Sequence, residues 1–192
     1  MSSDGTLARV TYLPGVTPPK GAGDADGGGV RGEQDHLAQK VSTRALARRG
    51  MSRWELESLL LSRDFEADVI ENELERLERA GLIDDAALAE MIVRTQHERK
   101  GLGRAALVTE LRRRRIDQGI IEAATNQLSD EDEDARAEAL AERRAAQLLG
   151  LDHDTAVRRL SGYLQRKGYS GETVRNAVIA ALPARSAGVR FR

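Results

Sequence analysis

The sequence predicts an all-α protein: three tandem three-helix modules stacked into an elongated, curved rod, preceded by a disordered leader. Three observations carry that expectation. The first is a Leu-x3-Leu-x4-apolar frame that occurs three times, at Leu56, Leu60 and Phe65, at Leu107, Leu111 and Ile116, and at Leu160, Leu164 and Tyr169. The copies lie 51 and then 53 residues apart. A period of that size means an array of small units, each burying its apolar face against a neighbour. The second is that no proline stands between Gly21 and Leu182, a stretch dominated by Ala, Leu, Arg and Glu. The third is a recurrent stop signal, glycine followed by an apolar residue, at Gly50-Met51, Gly81-Leu82, Gly101-Leu102, Gly150-Leu151 and Gly168-Tyr169. Glycine takes the left-handed conformation after a last helical turn, and the next apolar side chain folds back on that turn.

Helix starts are marked as well. Ser52-Arg53-Trp54-Glu55 has the spacing of a capping box, with Met51 and Leu56 placed as a hydrophobic staple. Asp84, Asp85, Asp117, Asp130 and Ser170 supply cap acceptors for orphan amides further on. Starts and stops together predict helices over 35–49, 52–63, 66–80, 85–100, 104–115, 118–128, 131–149, 154–167 and 171–181. Leu37, Leu88 and Leu140 hold matching places in the three leading helices. The predicted organisation is a Gly/Pro-rich leader (1–34), modules at 35–83, 84–129 and 130–182, and a basic tail (183–192). Eight of the 18 glycines and three of the four prolines fall within residues 1–32, which offer almost no periodic apolar surface to offset ordering entropy.

Composition narrows the function classes. There is no cysteine, hence no disulfide framework or thiolate site, and no apolar run long enough for a membrane span or signal peptide. That pattern fits a cytoplasmic protein, and a capped three-module rod, needing no partner to close its core, is expected to be a monomer. His36, His97 and His153 are isolated from each other and from metal-type carboxylate spacings, and no phosphate loop or nucleophile elbow occurs. No enzymatic activity, cofactor or metal is expected. Net charge is −1, but the charge is unevenly spread: a local balance of +6 over 94–115 and of −6 over 130–142.

The run Arg112-Arg113-Arg114-Arg115, close to Lys100 and Arg104, exceeds what a helix dipole calls for and suits phosphate or an acidic protein surface. Arg44, Arg48, Arg49 and Arg53 in the first module, and Arg158, Arg159, Arg166 and Lys167 in the third, are secondary candidates. The acidic run from Asp130 to Asp134 reads as part dipole complement and part surface for a basic partner. Trp54 is expected to pack within the first module. Six aromatics in the whole chain give little basis for a base-stacking platform.

Ser52-x-x-Glu55-Leu56 with Leu60, then Gly81-Leu82-Ile83-Asp84-Asp85, then Lys100-Gly101-x-Gly103, in this three-module frame, resembles the RecX family of bacterial recombination regulators. The likeness covers about 36–182 and departs at Ala86 to Leu88, where an aromatic is expected before Ala89. It implies a curved rod of three-helix modules that binds the RecA recombinase within the groove of its filament on single-stranded DNA. It further implies inhibition of ATP turnover and strand exchange, or filament disassembly, in control of DNA repair and the SOS response. Two other readings stand beside it: a non-specific DNA-binding helical protein, and a helical-repeat interaction scaffold without RecA contact.

Overall fold

A computed structural model describes residues 25–183, with side chains from Arg31 onward. All regular structure among them is helical: α1 (Ala25–Leu46), α2 (Arg53–Leu61), α3 (Ala67–Arg79), α4 (Asp85–Lys100), α5 (Arg104–Arg113), α6 (Gln118–Thr125), α7 (Asp130–Ala145), α8 (His153–Arg166) and α9 (Gly171–Ala181). Buried apolar side chains fall into three clusters. One is built from α1–α3 around Leu56, Leu60 and Leu74, one from α4–α6 around Leu107, Leu111 and Ile121, and one from α7–α9 around Leu160, Leu164 and Val174. The repeated frame therefore supplies the centre of each core.

The repeat extends to the backbone. The second helix of each module ends on a left-handed residue, Asp64 (φ 61), Arg115 (φ 57) or Gly168 (φ 90). The following amide, of Phe65, Ile116 or Tyr169, reaches back five residues to the carbonyl of Leu60, Leu111 or Leu164 at 3.5, 3.3 and 3.4 Å. This is one Schellman turn built three times, and it points the last apolar residue of each frame inward.

Several local expectations are revised. Helix α1 begins at Ala25, so residues 25–34, expected as leader, carry helical backbone. Propagating an existing helix costs little once it is nucleated, and an Arg31–Asp68 ion pair ties the extension to α3. Residues 1–24 of that leader and 184–192 of the tail lie outside the described residues. The first residue of α7 is Asp130; the capping oxygen comes from Ser129, which accepts from the amide of Asp132. Helix α7 gives way at Ala145 to a 3-10 turn over Ala146–Leu148. Among the expected stop glycines, Gly81, Gly101 and Gly168 adopt positive φ, while Gly50 and Gly150 do not. Gly50 instead marks a close approach: a Cβ there would stand 2.9 Å from Cδ1, the terminal methyl of Leu88. The Ser52–Glu55 capping box forms in both directions.

Neighbouring modules meet through one joint used twice. At the first, Ser52 Oγ donates to the carbonyl of Arg114 at 2.7 Å. At the second, the amide of Gly103, which matches Ser52, donates to the carbonyl of Lys167, which matches Arg114, at 2.8 Å. The side chains at those two positions then cap the end of the preceding module's first-helix region: Arg114 Nη1 on the Gly50 carbonyl at 3.2 Å, and Lys167 Nζ on the Lys100 carbonyl at 2.6 Å. Tyr169 adds a hydroxyl bond to the Gly101 carbonyl at 3.2 Å, and burial pushes that hydroxyl's pKa up to about 12. Leu88 closes over Gly50 and Leu140 over Gly101, which leaves both leucines buried.

Contact at the second joint is backbone to backbone, since a Cβ on Gly103 would lie 2.7 Å from the Gly168 carbonyl oxygen. Gly103→Ala is expected to cost about 1–3 kcal/mol in urea unfolding, as overpacked sites do. Gly150→Ala, with nothing within 4 Å of the new methyl, is expected to leave the unfolding midpoint nearly unchanged. Equal midpoints for the two variants would remove the joint from the stability of the array.

Candidate nucleic-acid and partner interface

The cations picked out by charge density divide, once folded, into joint residues and free surface. Arg104 is half-buried at the start of α5 and is held by the acidic start of α7. Its guanidinium meets Asp130 at 2.9 Å, Glu133 at 3.2 Å and the Leu128 carbonyl at 2.8 Å, while its amide donates to Glu133 at 2.8 Å. Much of the acidic run thereby finds its role: Glu133 is buried against α5, and Asp132 accepts from the hydroxyl of the cap Ser129. Glu131 stays exposed.

Arg114 is likewise internal, its side chain only 16% exposed between Glu55 and Glu110. Lys167 is half-buried on the Lys100 carbonyl. Arg113 is exposed but bonded to Glu110 at 2.8 and 3.0 Å, Arg49 to Glu55 at 3.0 Å, and Arg53 to Glu71 and Glu78. For Arg104, Arg114 and Lys167 the expected surface role gives way to a joint role, because the carbonyls and carboxylates of the adjoining module lie within bonding distance. The Arg113 guanidinium on Glu110 holds that carboxyl below its ordinary range, with Arg114 adding to the effect.

The remaining candidates are exposed and have no ion-pair partner among the described residues: Arg44, Arg48, Lys100, Arg112, Arg158, Arg159 and Arg166. Arg112 makes a 3.2 Å bond to the neutral side chain of Gln118. Arg115, also without a carboxylate partner, projects from its left-handed turn over the Trp54 ring, 5.7 Å from the centroid. Trp54 is not inside the first module but 44% exposed. It precedes Leu56 by two residues, which turns it well away from the Leu56–Leu60 face and across the joint toward Arg115. His97, by contrast, is buried with Nδ1 3.0 Å from the Leu102 carbonyl, a packing role.

Two cations escaped the sequence reading. Lys40 and Arg63 join Arg44 and Arg48 around a groove of about 670 Å³ between α1 and α2, floored by Val41, Ala45, Met51 and Leu59. Lys40 and Arg44 stand one turn apart on α1 and Arg48 follows four residues later in the turn after it, a spacing visible in the sequence. Arg63 arrives from the turn after α2 and carries no such signal.

Arg114→Ala is expected to lower stability by about 1–3 kcal/mol, through lost charged hydrogen bonds at the joint. Arg112→Ala is expected to change it by under about 0.5 kcal/mol. Denaturant midpoints of the two variants decide between joint and surface roles. The lowered pKa of Glu110 sets a pH dependence with a definite sign. Its stabilising contribution is complete above the ordinary value of 4.5 and is lost as pH falls through the lower folded value. The stability gap between the natural chain and Glu110→Gln is therefore expected to be open at neutral pH and to close on acidification. A gap that widens toward acid would contradict the Arg113–Glu110 pairing.

Known proteins share both the sequence and this architecture. Residues 84–124 match the family model for the second three-helix domain of RecX, and residues 131–178 match the model for the third. The chain is 36% identical over 178 residues to the regulatory protein RecX of Thermobifida fusca, covering 91% of this chain and 96% of that one. It is 38% identical over 137 residues to the RecX of Amycolatopsis mediterranei, covering 71% and 78% of the two chains. The crystal structure of RecX from Lactobacillus salivarius superposes with a TM-score of 0.70 at 23% identity, over 78% of this chain and 97% of that one. Among the described residues no helix is long and apolar enough to cross a membrane. With a relative matched almost end to end and two consecutive domain models in register with the helices, the chain belongs to the RecX family of regulatory proteins.

Proposed function

We propose that the protein is a non-enzymatic, cytoplasmic regulator of recombination and repair that binds RecA and its single-stranded DNA filament. It then inhibits ATP hydrolysis and strand exchange, or drives filament disassembly. Family membership supports RecA as the partner. The observation that carries the geometry is that every module leaves exposed cations without a carboxylate partner among the described residues. They are Arg44 and Arg48 in the first, Lys100, Arg112 and Arg115 in the second, and Arg158, Arg159 and Arg166 in the third.

A filament repeats along its axis, and so does this row of modules. Weak contacts made by successive modules reinforce one another, because once the first is bound the others face a high effective concentration of sites. Arg112 and Arg115 are the residues we assign to DNA phosphate, Arg115 lying over the exposed Trp54 ring at the first joint. Arg104, Arg114 and Lys167 act indirectly, by fixing the spacing of the modules.

Purified protein is expected to suppress RecA ATP hydrolysis on single-stranded DNA at micromolar concentration; full hydrolysis there would sink the proposal. The DNA contact has its own readout in the salt dependence of single-strand binding. Each phosphate contact contributes about 0.7 to the slope of log K against log salt. Arg112→Ala with Arg115→Ala is expected to reduce that slope by about 1–1.4. An unchanged slope would move those arginines from DNA to protein contact.

A further inference from the structure

The two internal joints define what a module's leading face is built to hold. In the second module that face comprises Leu88 and Met91 from α4 with Glu110 and Arg114 from α5, and it closes on the segment from Gly50 to Glu55. The third module's Leu140 and Lys167 close in the same way on the segment from Lys100 to Gly103. Shifted back by the repeat, these positions in the first module are Leu37, Lys40, Leu59 and Arg63. Among the described residues no module precedes α1 to cover them. Leu88 and Leu140 are 7% and 8% exposed, whereas Leu37 is 45% exposed. The first module thus carries a third copy of the docking face, open at the end of the row.

Its chemistry differs from the other two in a way that selects an occupant. Met91 and Glu110 of the second module are replaced by Lys40 and Leu59, and Arg44 and Arg48 continue the cationic rim. No carboxylate lines this groove. At both internal joints the occupant includes the end of a first helix and the connector after it, whose carbonyls are capped by the Arg114 or Lys167 side chain. At the first joint a carboxylate, Glu55, also pairs with Arg114. A face with more positive charge around an apolar centre fits a helix end that carries more negative charge.

We propose that this open face is a docking site for the C-terminal end of an acidic helix on a partner protein. The partial negative charge of a helix C-terminus and its carboxylates meet Arg44, Arg48 and Arg63, while an apolar residue seats on Leu37 and Leu59. A second copy of this chain does not offer the matching end. Helix α8 starts a full turn further ahead of Leu160 than α2 does of Leu56 or α5 of Leu107, which changes the surface where a fourth module would stack. A nucleic acid would satisfy the cations but leave the apolar centre unmatched. The proposal rests on the RecA reading for its supplier, a subunit of the filament.

Two measurements separate the face from the supplier. The first is fluorescence anisotropy of a labelled alanine-based helical peptide ending Glu-Leu-Glu-Gly, with the same peptide ending Lys-Leu-Lys-Gly as control. Both are titrated with the full chain and with its Arg44→Glu/Arg48→Glu variant, whose substituted positions are exposed and leave the core untouched. The acidic peptide is expected to bind and to lose affinity by about tenfold or more in the variant, because the facing charges are reversed. No binding, equal binding of both peptides, or an indifferent variant overturns the proposal. The second replaces the exposed Leu37 with the photo-reactive benzoylphenylalanine and irradiates the full chain on RecA–single-stranded DNA filaments, reading products by mass spectrometry. Capture of an acidic helix end of RecA supports the docking site. Capture of residues 1–24, a second copy or the DNA overturns it, as does no capture where ATP hydrolysis is still inhibited. Peptide binding without any effect on RecA would retain the face and reject the RecA reading.

Discussion

One contact governs the architecture: the left-handed turn after each module's second helix, and the carbonyl it presents to the module before. Arg114 and Lys167 each stand just ahead of the left-handed residue, and their carbonyls accept from Ser52 Oγ and the Gly103 amide. A carbonyl at a helix C-terminus has no partner within its own helix. Joining it to the N-terminal cap of a neighbouring helix satisfies an orphan acceptor with a donor from the module before. The same turn aims Ile116 and Tyr169 into their cores. Core and joint are therefore coupled, and the modules cannot slide past each other without giving up buried hydrogen bonds.

That coupling sets how the arginines are used. A joint needs long, donor-rich side chains that reach carbonyls across a gap, and Arg114 and Lys167 do this while their aliphatic stems cover apolar surface. Arg104 performs a related task by clamping the acidic start of α7 to α5. Four consecutive arginines on a helix end thus have separate fates. Arg112 faces solvent, Arg113 folds onto Glu110, Arg114 enters the joint, and Arg115 leaves through the left-handed turn toward Trp54.

The joint also explains why the modules are alike inside and different outside. Each core repeats because each module must bury the same frame. The leading faces vary because each meets a different surface: the second closes over Gly50, the third over Gly101 with backbone meeting backbone at Gly103, and the first over nothing within the described residues. Variation along a repeat array is therefore concentrated where modules meet something other than themselves. The first module also holds a buried carboxylate, Glu73, bonded to Ser42 and paired with Arg76, which locks α1 to α3.

The sequence alone determined the all-α class, the number of modules, the core residues and most helix ends. These follow from local rules: 3.6-residue periodicity, cap chemistry at Ser52, Asp84 and Ser170, and left-handed glycine at Gly81, Gly101 and Gly168. Its errors were local competitions with close outcomes, such as Ser129 rather than Asp130 as cap, and α1 running ten residues further back. Charge density located the arginine cluster, and the spacing of Lys40, Arg44 and Arg48 was there to be read. Only the tertiary structure decided which cations are free. A side chain's partner depends on what lies within a few ångströms of its tip, and Glu55, Gly50 and Lys100 are some 60 residues distant in sequence from the groups they meet. Periodicity records which face of a helix is buried. It carries no record of which carbonyl waits on the other side.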